Sequence, residues 1–425
     1  MNRRFFINSV ALGGAALSLT PNLEGLLAKN KKNNTVKIAL IGKGGMGTAD
    51  ANTALRVPGV EIIAVCDVFQ ARLDSAKKEW GEHIRTEMDY LNILKMPDVD
   101  AVIIGTPDHW HQKIAIDALK NGKHVYCEKP IIHKRSEGKA LINAQQSSGK
   151  VFQMGTQGVS AVGMEMAKLL IENGAIGKIN FVDARFSGAP SMLNAFRTPQ
   201  GASSETIWWN QFIGNAPKRA YDPQRFFSWR NWSDYGTGLA GDLFVHVIAS
   251  VHYITGVSEP KRVYSDGDIV YYNDGSRDTP DVVFSLVDYE DKLKKQQFKM
   301  FLGANMVDGI ANDWGSTNFK IVGEKGTLQV NWDKVSLQHL QEQDWSTYEN
   351  ILHDIPGFDS IQKVNDKEIH FLAKQDHPDA HYLHFQRFFD AIKTGSPVIA
   401  DVKFGVNASA VALRCFESQQ VNKII

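Results

Sequence analysis

The stretch Val36-Lys37-Ile38-Ala39-Leu40-Ile41-Gly42-Lys43-Gly44-Gly45-Met46-Gly47 decides the fold. Val36 to Ile41 is an apolar run broken by one lysine, as expected of a strand in a parallel sheet covered on both faces. The run stops at Gly42, and Gly42 to Gly47 then reads G-x-G-x-x-G at the opening of a helix. The first glycine permits a tight turn, the second lets main chain approach a pyrophosphate, and the third lets the helix pack closely. Unpaired N–H groups at the helix start favour the anion. Such a motif alone is weak, but Asp67 closes the next strand about 20 residues on, where a carboxylate accepts hydrogen bonds from an adenosine ribose. That position favours NAD over NADP, whose 2′-phosphate would meet like charge; the nearby Arg72 keeps NADP as the second choice.

Outward from this motif, helix-like and strand-like stretches alternate over Met46 to Arg56, Glu61 to Cys66, Ala71 to Trp80, Ala101 to Gly105, His111 to Asn121, His124 to Cys127 and Ser136 to Ser148. Such alternation predicts a doubly wound sheet. From about Val151 the texture changes to tryptophan-rich loops and then to longer alternating runs, Asp281 to Asp288, Gln297 to Ala304, Asn318 to Gly323 and Thr327 to Trp332, which predict an antiparallel sheet. His384 to Ile392 and Asp401 to Ser418 carry helical periodicity, with Asp401 a candidate N-cap. The expected fold class is therefore α/β: an N-terminal Rossmann domain over 35–150, and a C-terminal α+β domain with an open antiparallel sheet over 151–425.

A chain of 425 residues is long enough for two cores. Its 47 basic residues balance its 47 acidic ones without long blocks of either sign, so a nucleic acid or acidic membrane partner is not called for. Cys66, Cys127 and Cys415 are odd in number and lack metal-ligand spacing, so they read as buried thiols, with no metal site expected. At the start, Arg3 and Arg4 precede Phe5 and Phe6, and Val10 to Leu19 is a short apolar run. This pattern over 1–34 matches a twin-arginine export signal with a linker, cleaved near Ala28. A plain N-terminal helix or an ordinary secretory signal is the alternative. About ten apolar residues fall short of the roughly 20 that span a bilayer, so no membrane anchor is expected in the mature protein. The twin-arginine route carries folded cargo, which suits a protein that must bind its nucleotide before it leaves the cytoplasm; the expected destination is the periplasm.

Two further segments sit at strand ends, where open parallel sheets bind ligands: Thr106-Pro107-Asp108-His109-Trp110-His111 and Glu128-Lys129-Pro130. Together with Gly42 to Gly47 and Asp67, they resemble the Gfo/Idh/MocA family of sugar and inositol dehydrogenases, whose hallmark is the strand-end Glu-Lys-Pro. The resemblance runs over nearly the whole chain after 34, through His384-Phe385 and the Asp401 helix. It implies an open sheet whose face covers the nicotinamide, and Lys129 between cofactor and substrate. Gly241 to His246 contains Asp242 and His246 at a spacing that shares one helix face, and it resembles the family's Asp-x-x-x-His pair. By that resemblance His246 is the general acid/base, Asp242 orients or polarises it, and Lys129 binds the reacting hydroxyl; a polar helix side in a domain interface is the plain alternative. Glycines 42, 44, 45 and 47 with Met46, Asp67, Thr106, Pro107, His111, Glu128, Lys129 and Gln157 are the expected cofactor contacts. Gln157 is placed on the first strand beyond the Rossmann domain, where the family lines the nicotinamide pocket. A satisfied strand amide is its alternative.

Four tryptophans lie between Trp208 and Trp232, with Arg225, Arg230, Tyr221 and Tyr235 among them. Aromatic faces stack on the C–H faces of sugars, and arginines read hydroxyls, though large residues also build cores and interfaces. Trp209 and Arg230 join Lys129 and His246 as the expected substrate contacts. These expectations combine into an NAD-dependent oxidoreductase for a sugar, glycoside or polyol hydroxyl. The family also implies dimers or tetramers formed through the open sheet. One rival is an NAD-dependent glycosidase of the same family, which oxidises, eliminates and re-reduces without net redox change. That branch usually carries Trp where this chain has Asp108 and lacks the lysine of Glu-Lys-Pro. A non-catalytic carbohydrate sensor on the same fold is the other rival.

Overall fold

The apolar runs of the first part of the chain form six parallel strands: β1 (Val36–Ile41), β2 (Val60–Cys66), β3 (Arg85–Glu87), β4 (Ala101–Ile104), β5 (His124–Glu128) and β6 (Phe152–Gly155). Their order is β3-β2-β1-β4-β5-β6, so the chain reverses its direction of travel between β1 and β4. In an open parallel sheet this reversal leaves a crevice at the carboxyl ends of the strands. The period of a strand divides β1 between two cores. Ile38 and Leu40 join one, and Ala39 and Ile41 the other. Helices Gly45–Leu55 and Gln70–Trp80 cover the first face, and a helix from far along the chain, Ala380–Thr394, completes it. Phe385, Phe388 and Phe389 of that helix are buried there, with Phe385 stacked on Tyr126 at 4.2 Å between ring centroids. Each such ring contributes about 1.5–3 kcal/mol when removed from water.

The computed structural model describes residues 35–188, 197–292, 296–307, 318–342 and 344–425. The expected export signal over 1–34 lies outside the described residues. The boundary expected at 150 comes one strand early, because β6 pairs in parallel with β5 from Val125 with Phe152 to Glu128 with Gly155. Met154 and Gly155 therefore end the first sheet rather than begin a second one. A strand of four residues is too short to show a period, and the polar turn before it resembles a linker.

The second sheet has nine strands: β7 (Ile179–Ser187), β8 (Pro260–Asp268), β9 (Val282–Asp291), β10 (Gln296–Asn305), β11 (Asn318–Gly323), β12 (Gly326–Asn331), β13 (Lys334–His339), β14 (Phe358–Asn365) and β15 (Glu368–Ala373). Their order is β14-β15-β13-β12-β11-β7-β10-β9-β8. All neighbours are antiparallel except β7 and β10, which pair in parallel over Phe181 to Ser187. Alternation along a strand cannot distinguish the two arrangements, so this departure from an all-antiparallel sheet was not legible. Helices Val162–Glu172, Val245–Thr255 and Val402–Val421 bury one face. The other face is open, with Tyr264, Phe284 and Leu286 exposed. Cys66, Cys127 and Cys415 are free thiols, all buried.

The last long helix begins where its sequence places it, with the Asp401 side chain accepting a hydrogen bond from the Phe404 N–H at 2.8 Å. Asp401→Ala is expected to lower unfolding free energy by about 1 kcal/mol and Asp401→Asn by much less, read from the midpoints of denaturant unfolding.

Candidate active site

The glycine turn lies at the point of strand reversal, and its four glycines separate by function. Gly42 has φ +96°, and a Cβ there would stand 2.7 Å from the main chain of Gly105 and Thr106, so the turns after β1 and β4 touch only because neither residue 42 nor 105 has a side chain. Gly47 presses on Gly42, with a Cβ at 2.1 Å from its carbonyl oxygen. At Gly44 and Gly45 a Cβ would meet nothing within 4 Å. These two positions face open space in the crevice, at the start of a helix that no side chain caps. The cradle therefore fits a dinucleotide pyrophosphate, with free N–H groups and bare main chain where the anion must approach.

Asp67 follows β2 and is buried. Its Oδ2 accepts from the Lys43 N–H at 2.8 Å, its Oδ1 accepts from the Phe69 N–H at 3.0 Å, and Arg72 Nη1 lies 3.4 Å from Oδ2. The carboxylate thus ties the glycine turn to the next loop while lining the crevice. The Arg72 guanidinium also lies over Phe226, 5.4 Å from the ring centre.

Phe226 belongs to a roof that the sequence did not reveal. The chain over 197–235 crosses back to the first sheet and bridges Phe69 with Ile207. Gln70 N–H donates to Thr206 O at 3.0 Å and Trp208 N–H to Val68 O at 2.8 Å. Phe69 is buried with Ile207, Trp209, Phe212, Phe226 and Phe227 in a separate core. His109 pins the same segment, its Nε2 2.9 Å from Phe212 O and its Nδ1 3.3 Å from Tyr235 O, and burial pushes its imidazole down to about 3. The crevice under this roof spans about 1020 Å³ counted out to its mouth.

At the far end of the crevice stands Lys129, the residue after β5, at a cis Lys129–Pro130 peptide. Its Nζ donates to Asp242 Oδ1 at 2.5 Å and to the Asp242 carbonyl at 2.7 Å. Arg230 Nε lies 3.3 Å from the other oxygen, Oδ2. Burial alone would raise the Asp242 carboxyl, but the Lys129 ammonium and then the Arg230 guanidinium outweigh it and hold the group well below the usual carboxylate range. Asp242 lies in a π-helical turn, Ala240–Phe244, that runs into the Val245–Thr255 helix carrying His246. Burial, then the Lys129 charge, pushes His246 down to about 3 against a smaller pull from Asp242. The imidazole is therefore neutral near pH 7, with a lone pair to offer.

Of the residues singled out in the sequence, Gly42, Gly44, Gly45, Met46, Asp67, Thr106, Pro107, His111, Glu128, Lys129 and Arg230 line one crevice. Asp242 and His246 stand against Lys129, and Gly47 supports the turn from behind. Three residues are used otherwise than expected. Trp209 is core: it stacks on Phe212 at 5.1 Å and its Nε1 donates to Arg219 O at 2.8 Å, so it offers no face to a substrate. Gln157 lies in a 3-10 turn after β6 rather than on a strand, and its Nε2 donates to Glu128 Oε1 at 2.8 Å and Tyr126 OH at 3.0 Å. It positions Glu128. His111 has both ring nitrogens on main chain, Nδ1 2.7 Å from Pro130 O and Nε2 2.8 Å from Thr106 O, so only its ring surface is left for the crevice.

Residues missed include Trp229, Phe226, Phe227 and Phe212, and Asp108, read in the sequence only as a mark of the dehydrogenase branch, joins them on the crevice wall. Trp229 carries the Arg230 guanidinium 4.3 Å from its ring centre. It belongs to the tryptophan cluster that sequence singled out, but composition does not say which member faces inward. Asp108 is buried, with its Oδ2 accepting from Thr237 Oγ1 at 2.8 Å. Among the described residues no group of three or more His, Cys, Asp or Glu side chains is placed to hold a metal ion.

Inositol 2-dehydrogenase of Salmonella paratyphi B is 33% identical over 41% of this chain and 52% of its own length, so the chain spans about half the length of that enzyme. A glycosyl hydrolase family 109 protein of Solibacter usitatus is 36% identical over 28% of this chain and 29% of its own length. The crystal structure of the WlbA dehydrogenase from Bordetella pertussis, in complex with NADH and UDP-GlcNAcA, superposes with a TM-score of 0.69 at 16% identity, covering 92% of this chain and 98% of that one, which is a likeness of fold. The model of the oxidoreductase family's NAD-binding Rossmann fold matches residues 36–156, and the model of its C-terminal alpha/beta domain matches 215–425. With its glycine turn, its strand-end Glu-Lys-Pro and both family domains in place, the chain belongs to the Gfo/Idh/MocA family of oxidoreductases.

Proposed function

We propose that this protein moves a hydride between a firmly held NAD and a secondary hydroxyl of a sugar, glycoside or polyol. The observation that carries the reading is the Lys129 side chain, which lines the same crevice as the bare Gly44–Gly45 cradle and is fixed there by Asp242. When bound, NAD supplies the ring that accepts or returns the hydride. Lys129 donates to the reacting oxygen while that oxygen changes charge, and the neutral His246 takes or returns the hydroxyl proton. Asp242 keeps the ammonium aimed and stabilises the charge that His246 gains. Arg230 and Trp229, at the same wall, offer donors to substrate hydroxyls and a face to its C–H surface. The inositol dehydrogenase and the NADH-bound sugar-nucleotide dehydrogenase among its relatives support a carbohydrate substrate.

Similarity to the family 109 glycosyl hydrolase favours a second reading, in which the same hydride is lent and returned around elimination of a glycoside. Asp108 and Lys129 in the crevice favour the dehydrogenase. Export by the twin-arginine route to the periplasm belongs to the proposal on the strength of Arg3, Arg4 and the apolar run Val10 to Leu19. No free NAD pool is expected there, so the nucleotide has to stay bound and be recycled by a second substrate or a redox-neutral cycle. The 197–235 roof supports that retention. The open, partly apolar face of the nine-stranded sheet supports assembly into a dimer or tetramer.

Denaturing the purified protein is expected to release about one equivalent of NAD or NADH per chain, seen by mass spectrometry; a nucleotide-free protein that does not take up NAD contradicts the proposal. Lys129→Ala is expected to lower kcat by roughly 10²–10⁴-fold while nucleotide affinity changes little, so retention of full rate would show the lysine misassigned. Product analysis after incubation with mixed ketosugars and aryl glycosides separates the readings: hydride exchange without cleavage supports the oxidoreductase, and glycoside loss supports the hydrolase.

A further inference from the structure

Behind the Glu-Lys-Pro turn lies a group of ionisable side chains with no task in the scheme above. Asp50, on the Gly45–Leu55 helix just past the glycine turn, is completely buried. Its Oδ1 lies 2.8 Å from His381 Nε2, while its Oδ2 has no hydrogen-bond partner. The side chains set against this carboxyl are a second carboxyl, that of Glu128, and the Gln157 amide, whose Nε2 lies 2.8 Å from Glu128 Oε1. Glu128 ends β5, is itself buried, and lines the crevice beside Lys129.

Other groups face the pair from each element around it. Tyr126, Cys127 and Lys129 lie on or after β5, with the Lys129 ammonium already committed to Asp242. Gln157 donates to Glu128 from the turn after β6. His381 comes from the Ala380–Thr394 helix, with its Nδ1 3.3 Å from Thr53 Oγ1 and its side chain 21% exposed. Two carboxyls in contact inside a protein do not both ionise unless a cation stands beside them, because each negative charge opposes the other and neither is solvated. One proton held between them satisfies the orphaned Asp50 oxygen. Burial is the first cause that pushes both groups up, Glu128 to about 8, with the neighbouring carboxyl adding to it there.

Hydride transfer changes the charge of the crevice, since the oxidised pyridine ring is cationic and the reduced ring is neutral. We propose that the Asp50–Glu128 pair holds a single proton, releases it when the cationic ring occupies the crevice, and takes it back when that ring is reduced. The inference rests on the NAD reading above and adds a second proton to its account. On NAD⁺ binding one O–H bond of the pair breaks, the proton leaves to solvent, and the doubly ionised pair offsets the ring's charge. On reduction one proton from solvent rejoins the pair, separate from the hydroxyl proton handled by His246. His381, hydrogen-bonded to Asp50 and reaching solvent, is the outward end of the path.

The test uses the full protein with its nucleotide. Samples are equilibrated with mixtures of NAD⁺ and NADH between pH 6 and 9, passed through a desalting column, and the bound NAD⁺:NADH ratio is measured after release. Both nucleotides share their adenosine and pyrophosphate, so the ratio isolates the ring's charge. The expected result is a rise in bound NAD⁺ relative to NADH with increasing pH, by up to tenfold per unit for one linked proton, levelling above about pH 8. In Asp50→Asn and in Glu128→Gln the ratio should lose this slope, with folding checked by circular dichroism. A flat ratio in the unaltered protein overturns the inference while leaving the NAD reading intact, as does a slope kept in a folded variant. If no nucleotide binds at any pH, the proposed function falls, and the inference with it.

Discussion

Lys129 and Asp242 are separated by 113 positions in sequence and meet at 2.5 Å. One follows the fifth strand of the parallel sheet, and the other precedes a helix of the layer beneath the nine-stranded sheet. Their side chains are 11% and 24% exposed, so bulk water screens the pair only in part. A half-buried ion pair costs desolvation that can exceed its own attraction, and well-packed apolar residues are often as stable. Stability is therefore a poor reason for this pair to exist. Its effect is to hold an ammonium within the crevice and aimed, and the surrounding structure is arranged to that end. Arg230 takes the oxygen of Asp242 that Lys129 leaves free, and the π-helical turn presents the Asp242 carbonyl to the same ammonium.

What could be read in the sequence was whatever local chemistry fixes by itself. Gly42 and Gly47 are glycine because main chain lies within 3 Å of where their side chains would begin, and that constraint has a fixed spacing. Asp67 and Asp401 act on main-chain N–H groups within a few residues or across one strand, and their positions follow from the elements they end or begin. Lys129, Asp242 and His246 were found through family resemblance, since nothing local says that positions so far apart converge. Trp209 and Trp229 differ in fate although both are tryptophans in one loop-rich segment. Which of them turns inward depends on Phe69 and Phe226, contributed by separate parts of the chain. Strand β6 and the parallel pairing of β7 with β10 were hidden for the same reason: four residues carry no period, and alternation is blind to strand direction.

The roof over 197–235 changes what the crevice can do. In a bare doubly wound domain the dinucleotide lies in the crevice along the strand ends. Here a segment from beyond the first sheet is stitched to Val68 and Gln70 by main-chain hydrogen bonds, and its aromatic rings pack on Phe69. The family's two domain models leave 157–214 unmatched, and the first part of the roof falls within that interval.

The crevice also keeps a charge account in which its positive groups are fixed and its negative ones are adjustable. Arg72 is paired with Asp67, while Lys129 and Arg230 share the single carboxylate of Asp242, so all three cations are tethered before any ligand arrives. Asp242 lies far below its usual range and stays ionised, whereas the Asp50–Glu128 pair is displaced in the opposite direction. Carboxylates with such different environments divide the work that one group cannot do. A permanently charged one orients the lysine, and a half-protonated pair can follow the charge of its neighbour at little cost. Glu128 adjoins Lys129 in sequence, so a change of charge in the pair is felt by the lysine, which the permanently ionised Asp242 holds in place.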